Sequence, residues 1–535
     1  MTRFNQPGTR AVGRGPVQGT GERTATHEGG PAYVRTARGD LFLLAMTNMV
    51  GQDTFYESAA DRDNRFRTLV RKVANEDPAW MSQFIPWLRT EAHMRTAAVV
   101  AAAETAAEML LHGTPGARKI IASALQRPDE PGEFLGYWMQ AYGRKLPMAV
   151  KRGVGDAVIR LYTERSLLKY DTESHGLRFG DVIELTHPGD AKGSAQHLQG
   201  AWQGDLFRYA IDRRHNREGG APESLNMLRS NAWLREEAKT NPRLLLDSGA
   251  LRAAGMTWED ALSLGGQLGL DKRELWEAMI PSMGYMALLR NLRNFDQAGV
   301  SDTVAAGVAQ RLADPDQVAR SKQFPFRFVS ALKAVESYRW HQPLETAVNL
   351  ACSNAPALEG DTLVLVDVSG SMRATVSDKS GLSRMEVGAL FGSMLASRAG
   401  RAQLVAFGTE HESFGIPPAG TSVLRLAKDV QAAGARLGWG TNTEPALRAT
   451  FNGHRQVFIF TDEQSFGSSA WGYSDVTHAV PDDVPVFAFN LAGYAPSQLD
   501  LTQRNRYALG GFSDKTFTLI KTLLSGRDAK WPWEE

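Results

Sequence analysis

The chain has 535 residues, 43% hydrophobic and 22% charged, with 60 Lys and Arg against 59 Asp and Glu for a formal net charge of +1. That length calls for more than one hydrophobic core, the composition is that of an ordinary soluble globular protein, and the charge balance excludes a global polyanion-binding field, so any nucleic-acid site must be a local patch. A single cysteine, Cys352, excludes an intrachain disulfide framework and fits a reducing, cytoplasmic setting, where it reads as a packed residue.

Residues 1–33 are rich in Gly, Pro, Thr and Arg and lack a hydrophobic period, which predicts a flexible tail. They also lack the apolar core of a signal peptide. The most membrane-like run, residues 96–111, is interrupted by Glu104 and Glu108 and reads as a buried or amphipathic Ala-rich helix. No membrane association is expected.

From 34 to 345 helical signals follow one another. Asp77 is placed to cap a helix with Pro78 in its first turn, and Thr257 and Asp260 have the spacing of a capping pair. Apolar residues between Asp271 and Phe295 recur at three and four, broken near Pro281 into two helices, and a further helix is predicted near Phe326. Many helices of this length without convincing strands suggest stacked pairs, an α-solenoid.

Within this region, Arg144, Lys145, Lys151, Arg152, Arg160, Arg165 and Lys169 face only Asp156 and Glu164 in sequence. Arg144/Lys145 and Lys151/Arg152 are seven apart, which on a helix puts them on one face. On charge alone this is a solvated helix face; as a binding surface it would contact phosphates and release counterions. Residues 208–217 hold a second basic concentration.

Residues 346–360, with Pro356 and Gly360, read as a linker. Beyond them the texture changes. Short β-rich apolar runs around 362–368, 402–407, 456–462 and 484–491 alternate with helical patterns, which predicts a doubly wound α/β domain over 361–530.

Ligands gather at the carboxyl ends of the strands in such a fold. Asp367, Ser369 and Ser371 follow the first strand, Asp462 follows a later one, and Thr441 and Thr443 lie in a glycine-flanked loop between them. A hard divalent cation such as Mg²⁺ takes oxygen ligands and keeps several waters. Hydroxyls would bind it directly and aspartates would hold its waters, leaving it attractive to an external acidic group. No activated nucleophile or zinc spacing accompanies these residues, and His411 and His454 read as ordinary histidines, so a non-enzyme is expected.

The Asp-x-Ser-x-Ser, Gly-Thr-Asn-Thr and Thr-Asp pieces, in this order, resemble a von Willebrand factor A domain. The resemblance implies a metal-ion-dependent adhesion site at Asp367, Ser369, Ser371, Thr441 and Asp462. Thr441 is preferred to Thr443 because the family's threonine directly follows its glycine pair, here replaced by Gly438-Trp439-Gly440.

Residues 142–154, 179–188, 286–295 and 324–332 are similar to the Ro type of TROVE-domain protein, a module shared with telomerase-associated and vault proteins. The absence of vault-type or telomerase-type extensions places the resemblance with bacterial Ro proteins. It implies a ring of HEAT-like helical repeats closed by the A domain within one chain, hence a monomer, with Y-type small noncoding RNA on a basic outer face. It also implies that single-stranded 3′ ends of misfolded RNA enter a central hole, in RNA quality control with an exoribonuclease. His187 matches a histidine of the family's Y RNA surface and Lys169 approximates a nearby lysine, joining Arg144, Lys145, Lys151 and Arg152 as RNA-binding candidates. The alternative function is metal-dependent capture of an acidic protein partner by the A domain.

Overall fold

A computed structural model describes residues 13–47, 53–174, 176–189, 198–217, 219–323, 325–352, 357–376, 381–415, 422–465, 475–510 and 514–534. The chain forms two compact units. One, the helical unit, comprises Ala74–Ser321 and Ala331–Leu344; the other, the α/β unit, comprises the chain up to Val73, Lys322–Ser330 and Glu345 onward.

In the helical unit, Asp77 caps the helix Pro78–Thr90 by accepting from the Trp80 N–H at 3.0 Å, with Pro78 in the first turn. The Ala-rich segment is a helix, Arg95–Leu111, whose small side chains let neighbouring helices approach. Its Glu104 is fully buried and accepts from the hydroxyls of Tyr137 and Tyr142. Buried acids persist when their oxygens are bonded in this way. A short turn at Ile280–Ser282 separates helices Lys272–Met279 and Tyr285–Gln297 where Pro281 predicts a break. Trp276 anchors this region between Trp258 and Phe295, at ring distances of 5.6 and 5.0 Å. Among the described residues, no helix is long and apolar enough to cross a membrane.

The α/β unit carries a sheet of six strands: β3 (Leu358–Asp367), β4 (Ala399–Phe407), β5 (His411–Phe414), β6 (Gln456–Thr461), β7 (Val486–Asn490) and β8 (Arg506–Leu509). Their order is β5-β4-β3-β6-β7-β8, parallel throughout except for β5 against β4. β3 is central, which is why its Leu363–Val366 run is apolar on both faces and buried. Phe458 stacks on Phe487 at 4.9 Å and Phe460 on Phe489 at 4.5 Å, fixing the β6–β7 register from one face. The chain leaves β3 for β4 on one side and returns to β6 on the other, so the carboxyl end of β3 is a switch point.

Two sequence-based boundaries change. Residues 1–12 of the expected tail lie outside the described residues, but residues 13–33 are ordered. β1 (Gly19–Ala25) and β2 (Pro31–Arg35) form an antiparallel hairpin that packs within the α/β unit. Tyr33 and Ser497 exchange backbone hydrogen bonds at 2.8 and 3.1 Å, and the Arg14 N–H donates to Asp528 at 2.7 Å. A polar, Gly-rich segment cannot bury a core of its own, yet it is held once another surface satisfies its backbone. Residues 34–73 likewise belong to the α/β unit and not to the helical one.

The expected linker is also shorter. Residues 346–352 complete the helix His341–Cys352, whose Leu344, Val348 and Cys352 form a buried stripe at spacing four. Residues 353–356 lie outside the described residues, and Leu358–Gly360 already belong to β3.

Candidate functional site

Three backbone segments converge at the carboxyl end of β3. Asp367, the last residue of β3, is fully buried; its Oδ1 accepts from the Ser369 N–H at 2.9 Å and its Oδ2 from the Thr461 hydroxyl at 2.7 Å. The hydroxyls of Ser369 and Ser371 lie 3.4 Å apart and both residues are buried. Asp462 follows β6, is fully buried, and accepts at Oδ1 from the Gln464 N–H at 3.2 Å. Ser371 adjoins Asp462 and eases its charge, while Asp462 Oδ2 lacks a completed hydrogen bond.

The threonine loop is pinned to the same corner. The Gly370 N–H donates to the Trp439 carbonyl at 3.0 Å, and the Asn442 N–H to the Gly408 carbonyl at 3.0 Å. Gly438 has φ +78°, and a Cβ there would meet the Thr409 hydroxyl at 2.6 Å, so this turn requires glycine. Thr441 and Thr443 are both buried, and Thr443 Oγ1 lacks a hydrogen-bond partner. Trp439 stands 68% exposed at the rim, with the Arg373 guanidinium 4.3 Å from its ring centre.

The electrostatics are those of a site short of positive charge. Burial pushes the Asp367 carboxyl up to about 7, with the Asp462 charge adding to the effect. Burial likewise raises Asp462, and the buried Arg384 offsets only part of this while its own Nη1 stays without a partner. Two buried carboxylates, clustered hydroxyls and an orphaned carboxylate oxygen fit a hard divalent cation. Sequence motifs point to all five proposed ligands and include Thr461, the threonine of the Thr-Asp piece, which orients Asp367; they do not point to Tyr56, whose phenol adjoins Ser371 from the N-terminal segment. Position in sequence carries no signal for Tyr56.

The RNA-binding candidates are placed differently from expectation. Arg144 and Lys145 lie in the loop before the helix Met148–Leu161, because Pro147 sets that helix's start; they therefore do not continue its face. Arg144, Lys145 and Arg152 are exposed and Lys151 half-exposed. Arg160 is a structural residue, donating to the carbonyls of Ala122 and Leu125 at the end of the helix Ala117–Ala124. Lys169 lies 5.2 Å over the Tyr170 ring. His187 is exposed in a left-handed conformation, φ +47°, ending the helix Phe179–Thr186; that helix is anchored by Phe179 stacking on Tyr162 at 3.7 Å. The candidates thus occupy successive helix ends and not one stripe.

The second basic concentration lines a cleft of about 310 Å³ with Arg208, Tyr209, Arg213 and Arg217. There each arginine faces an aspartate: Asp205 at 3.7 Å, Asp171 at 3.6 Å and Asp212 at 3.0 Å, respectively. Its charge is largely compensated.

Residues 253–339 match the TROVE domain family. The chain is 40% identical over 82 residues to mouse telomerase protein component 1 and 42% identical over 77 residues to the rat protein, 15% and 14% of its length. It spans only 3% of either relative. Its fold is similar to the crystal structure of the Deinococcus radiodurans Ro (Rsr) protein, with a TM-score of 0.60 and 17% identity over 91% of this chain and 99% of that one. The chain thus carries a TROVE segment within a fold like that of the Ro protein.

Proposed function

We propose that this protein is a non-enzymatic RNA-binding scaffold. The observation that carries this reading is the TROVE segment in a fold like that of Ro, together with an exposed run of basic residues in the helical unit. Arg144, Lys145, Lys151 and Arg152, with Lys169 and His187, would hold phosphates of a structured small RNA of the Y type. Single-stranded 3′ ends of misfolded RNA would be a second ligand, presented to an exoribonuclease. Sequencing RNA crosslinked to the purified protein tests this: a discrete small noncoding species supports it, and a profile matching total RNA overturns it.

A second, compatible role belongs to the α/β unit, which we read as an A-type domain with a metal-ion-dependent adhesion site. The orphaned Asp462 Oδ2 beside buried Asp367 supports it. Ser369, Ser371 and Thr441 would hold Mg²⁺ directly, and Asp367 and Asp462 would stabilise its waters. The ion would supply positive charge for an acidic group; the chain's own residues orient and bury it. Calorimetric titration with Mg²⁺, compared with Asp367→Ala, checks the site.

A further inference from the structure

We propose that Trp439 and Arg373 form a stacking platform for one unpaired nucleotide of single-stranded RNA, so that the α/β unit makes an RNA contact of its own. This rests on the RNA-binding reading above and adds a contact which that reading does not place. It needs no metal ion.

The ring is presented and not packed. Trp439 is 68% exposed and stands between Gly438 and Gly440, which have no side chains to crowd it. Its backbone is held on both sides. The Trp439 carbonyl accepts the Gly370 N–H at 3.0 Å, and the Gly440 N–H donates to the Thr409 hydroxyl at 3.0 Å. The ring lies against Gly370, where a Cβ would come within 3.3 Å of it. A ring fixed in this way loses little further freedom when a flat partner arrives.

Beside the ring is an uncompensated charge. The Arg373 guanidinium stands 4.3 Å from the ring centre and is exposed. It donates to the Gly434 carbonyl at 3.0 Å, and among the described residues no carboxylate pairs with it. A planar apolar surface next to a free guanidinium fits a nucleotide, with the base on the ring and the phosphate on the cation.

Other partners fit less well. Among the described residues of the α/β unit, Phe55 is the other large hydrophobic side chain that stands exposed, set edge-on to Tyr56 at 4.8 Å. Two rings fall short of the contiguous apolar core that a stable protein interface buries. One ring and one cation are enough for a base and its phosphate. A duplex is excluded because its bases are already stacked on one another. Asp367 and Asp462, buried in the adjoining cluster, weaken the pull on a phosphate, so stacking carries more of the binding than charge does.

The experiment uses the full chain and a labelled oligouridylate of about ten nucleotides, within the site sizes of single-strand binders. Binding is read by fluorescence anisotropy at about 200 mM salt, where phosphate contacts elsewhere are weakened. Trp439→Ala should bind the strand about tenfold more weakly, the loss that one stacked base represents. Trp439→Phe should recover most of that loss, and Arg373→Gln should lose part of it and lower the salt slope by about 0.7. An RNA duplex of the same length should bind all four proteins equally. Ultraviolet crosslinking of a bromouridine-containing strand should mark the tryptic peptide 437–448 in the wild type. A Trp439→Ala protein that matches the wild type in strand affinity overturns the platform and leaves RNA binding standing. Equal losses for strand and duplex also overturn it, since the ring would then serve the fold. Loss of hexaglutamate binding with strand binding unchanged would make the ring a protein contact and overturn it too. A wild type that binds neither strand nor duplex overturns the RNA-binding reading with it.

Discussion

Arg35 and Glu463, 428 positions apart, form an ion pair with both side chains fully buried. The guanidinium also donates to the carbonyls of Tyr494 and Ala495 at 2.8 and 2.9 Å, so one side chain ties β2 to the loops after β6 and β7. Burial raises the Glu463 carboxyl, and Arg35 is the main influence holding it down. Arg35→Ala removes that influence and leaves a buried acid uncompensated, which costs about 3–5 kcal/mol. Equilibrium urea unfolding of the full chain should show that loss. Adding Glu463→Gln should recover much of it by removing the stranded charge. A single variant as stable as the wild type would show that the pair does not hold the segment.

The contrast between what the sequence displays and what it hides follows from this pair. β3 is legible because a strand buried on both faces must be continuously apolar, and Asp367 stands out at its end. The oxygen cluster is legible because its ligands sit in short motifs next to predicted strands. The hairpin is not, because β1, Gly19–Ala25, is polar and mostly exposed, and the hairpin is held by hydrogen bonds from Thr26 in its turn and Tyr33 in β2 to residues more than 400 positions away. β5 and β8 are hidden for a simpler reason: four residues each are too few to show a period. The Arg144 loop is hidden because a seven-residue spacing implies a shared face only on an unbroken helix, and here the helix starts only after Pro147.

If the α/β unit binds Mg²⁺, binding must stabilise it by mass action, by about 2.7 kcal/mol at a hundredfold excess over the dissociation constant. For a unit of this size that is a shift in melting temperature of roughly 5–10 °C. Asp367→Ala should abolish the shift, and so should chelation of the wild type. Because Thr461 donates to Asp367 Oδ2, Thr461→Val should weaken the response without eliminating it. Equal shifts in wild type and Asp367→Ala would place the ion elsewhere.

Exposed Arg144, Lys145 and Arg152 make a different kind of prediction, because phosphate contacts are read through salt. Each phosphate contact contributes about 0.7 (single-stranded) to 0.9 (duplex) to the slope of log affinity against log salt. Reversing Arg144, Lys145, Lys151 and Arg152 together should weaken RNA binding and flatten that slope by roughly 2–3 units. Reversing Arg208, Arg213 and Arg217 should flatten it less, since each already faces an aspartate. Filter binding between about 50 and 200 mM salt separates the two surfaces. Identical slopes for wild type and the first variant would exclude the Arg144–Arg152 surface.

His454 gives the α/β unit a weakness in mild acid. It is buried just before β6, and its Nδ1 accepts the Asn452 N–H at 3.2 Å, an arrangement open only to a ring unprotonated at that nitrogen. Burial lowers its pKa below the ordinary histidine value; Asp361 opposes the shift and Arg401 adds to it. The unfolded chain therefore takes up the proton first as pH falls. His454 contributes stability above the ordinary value near ~6.5 and loses it progressively as pH passes down through the lower folded value. Urea midpoints should fall between about pH 7 and pH 5, and the fall should be smaller in His454→Asn, which cannot titrate. The difference between the two curves isolates this residue from the other ten histidines of the chain. Parallel curves would mean that His454 is protonated as easily in the folded protein as in the unfolded one.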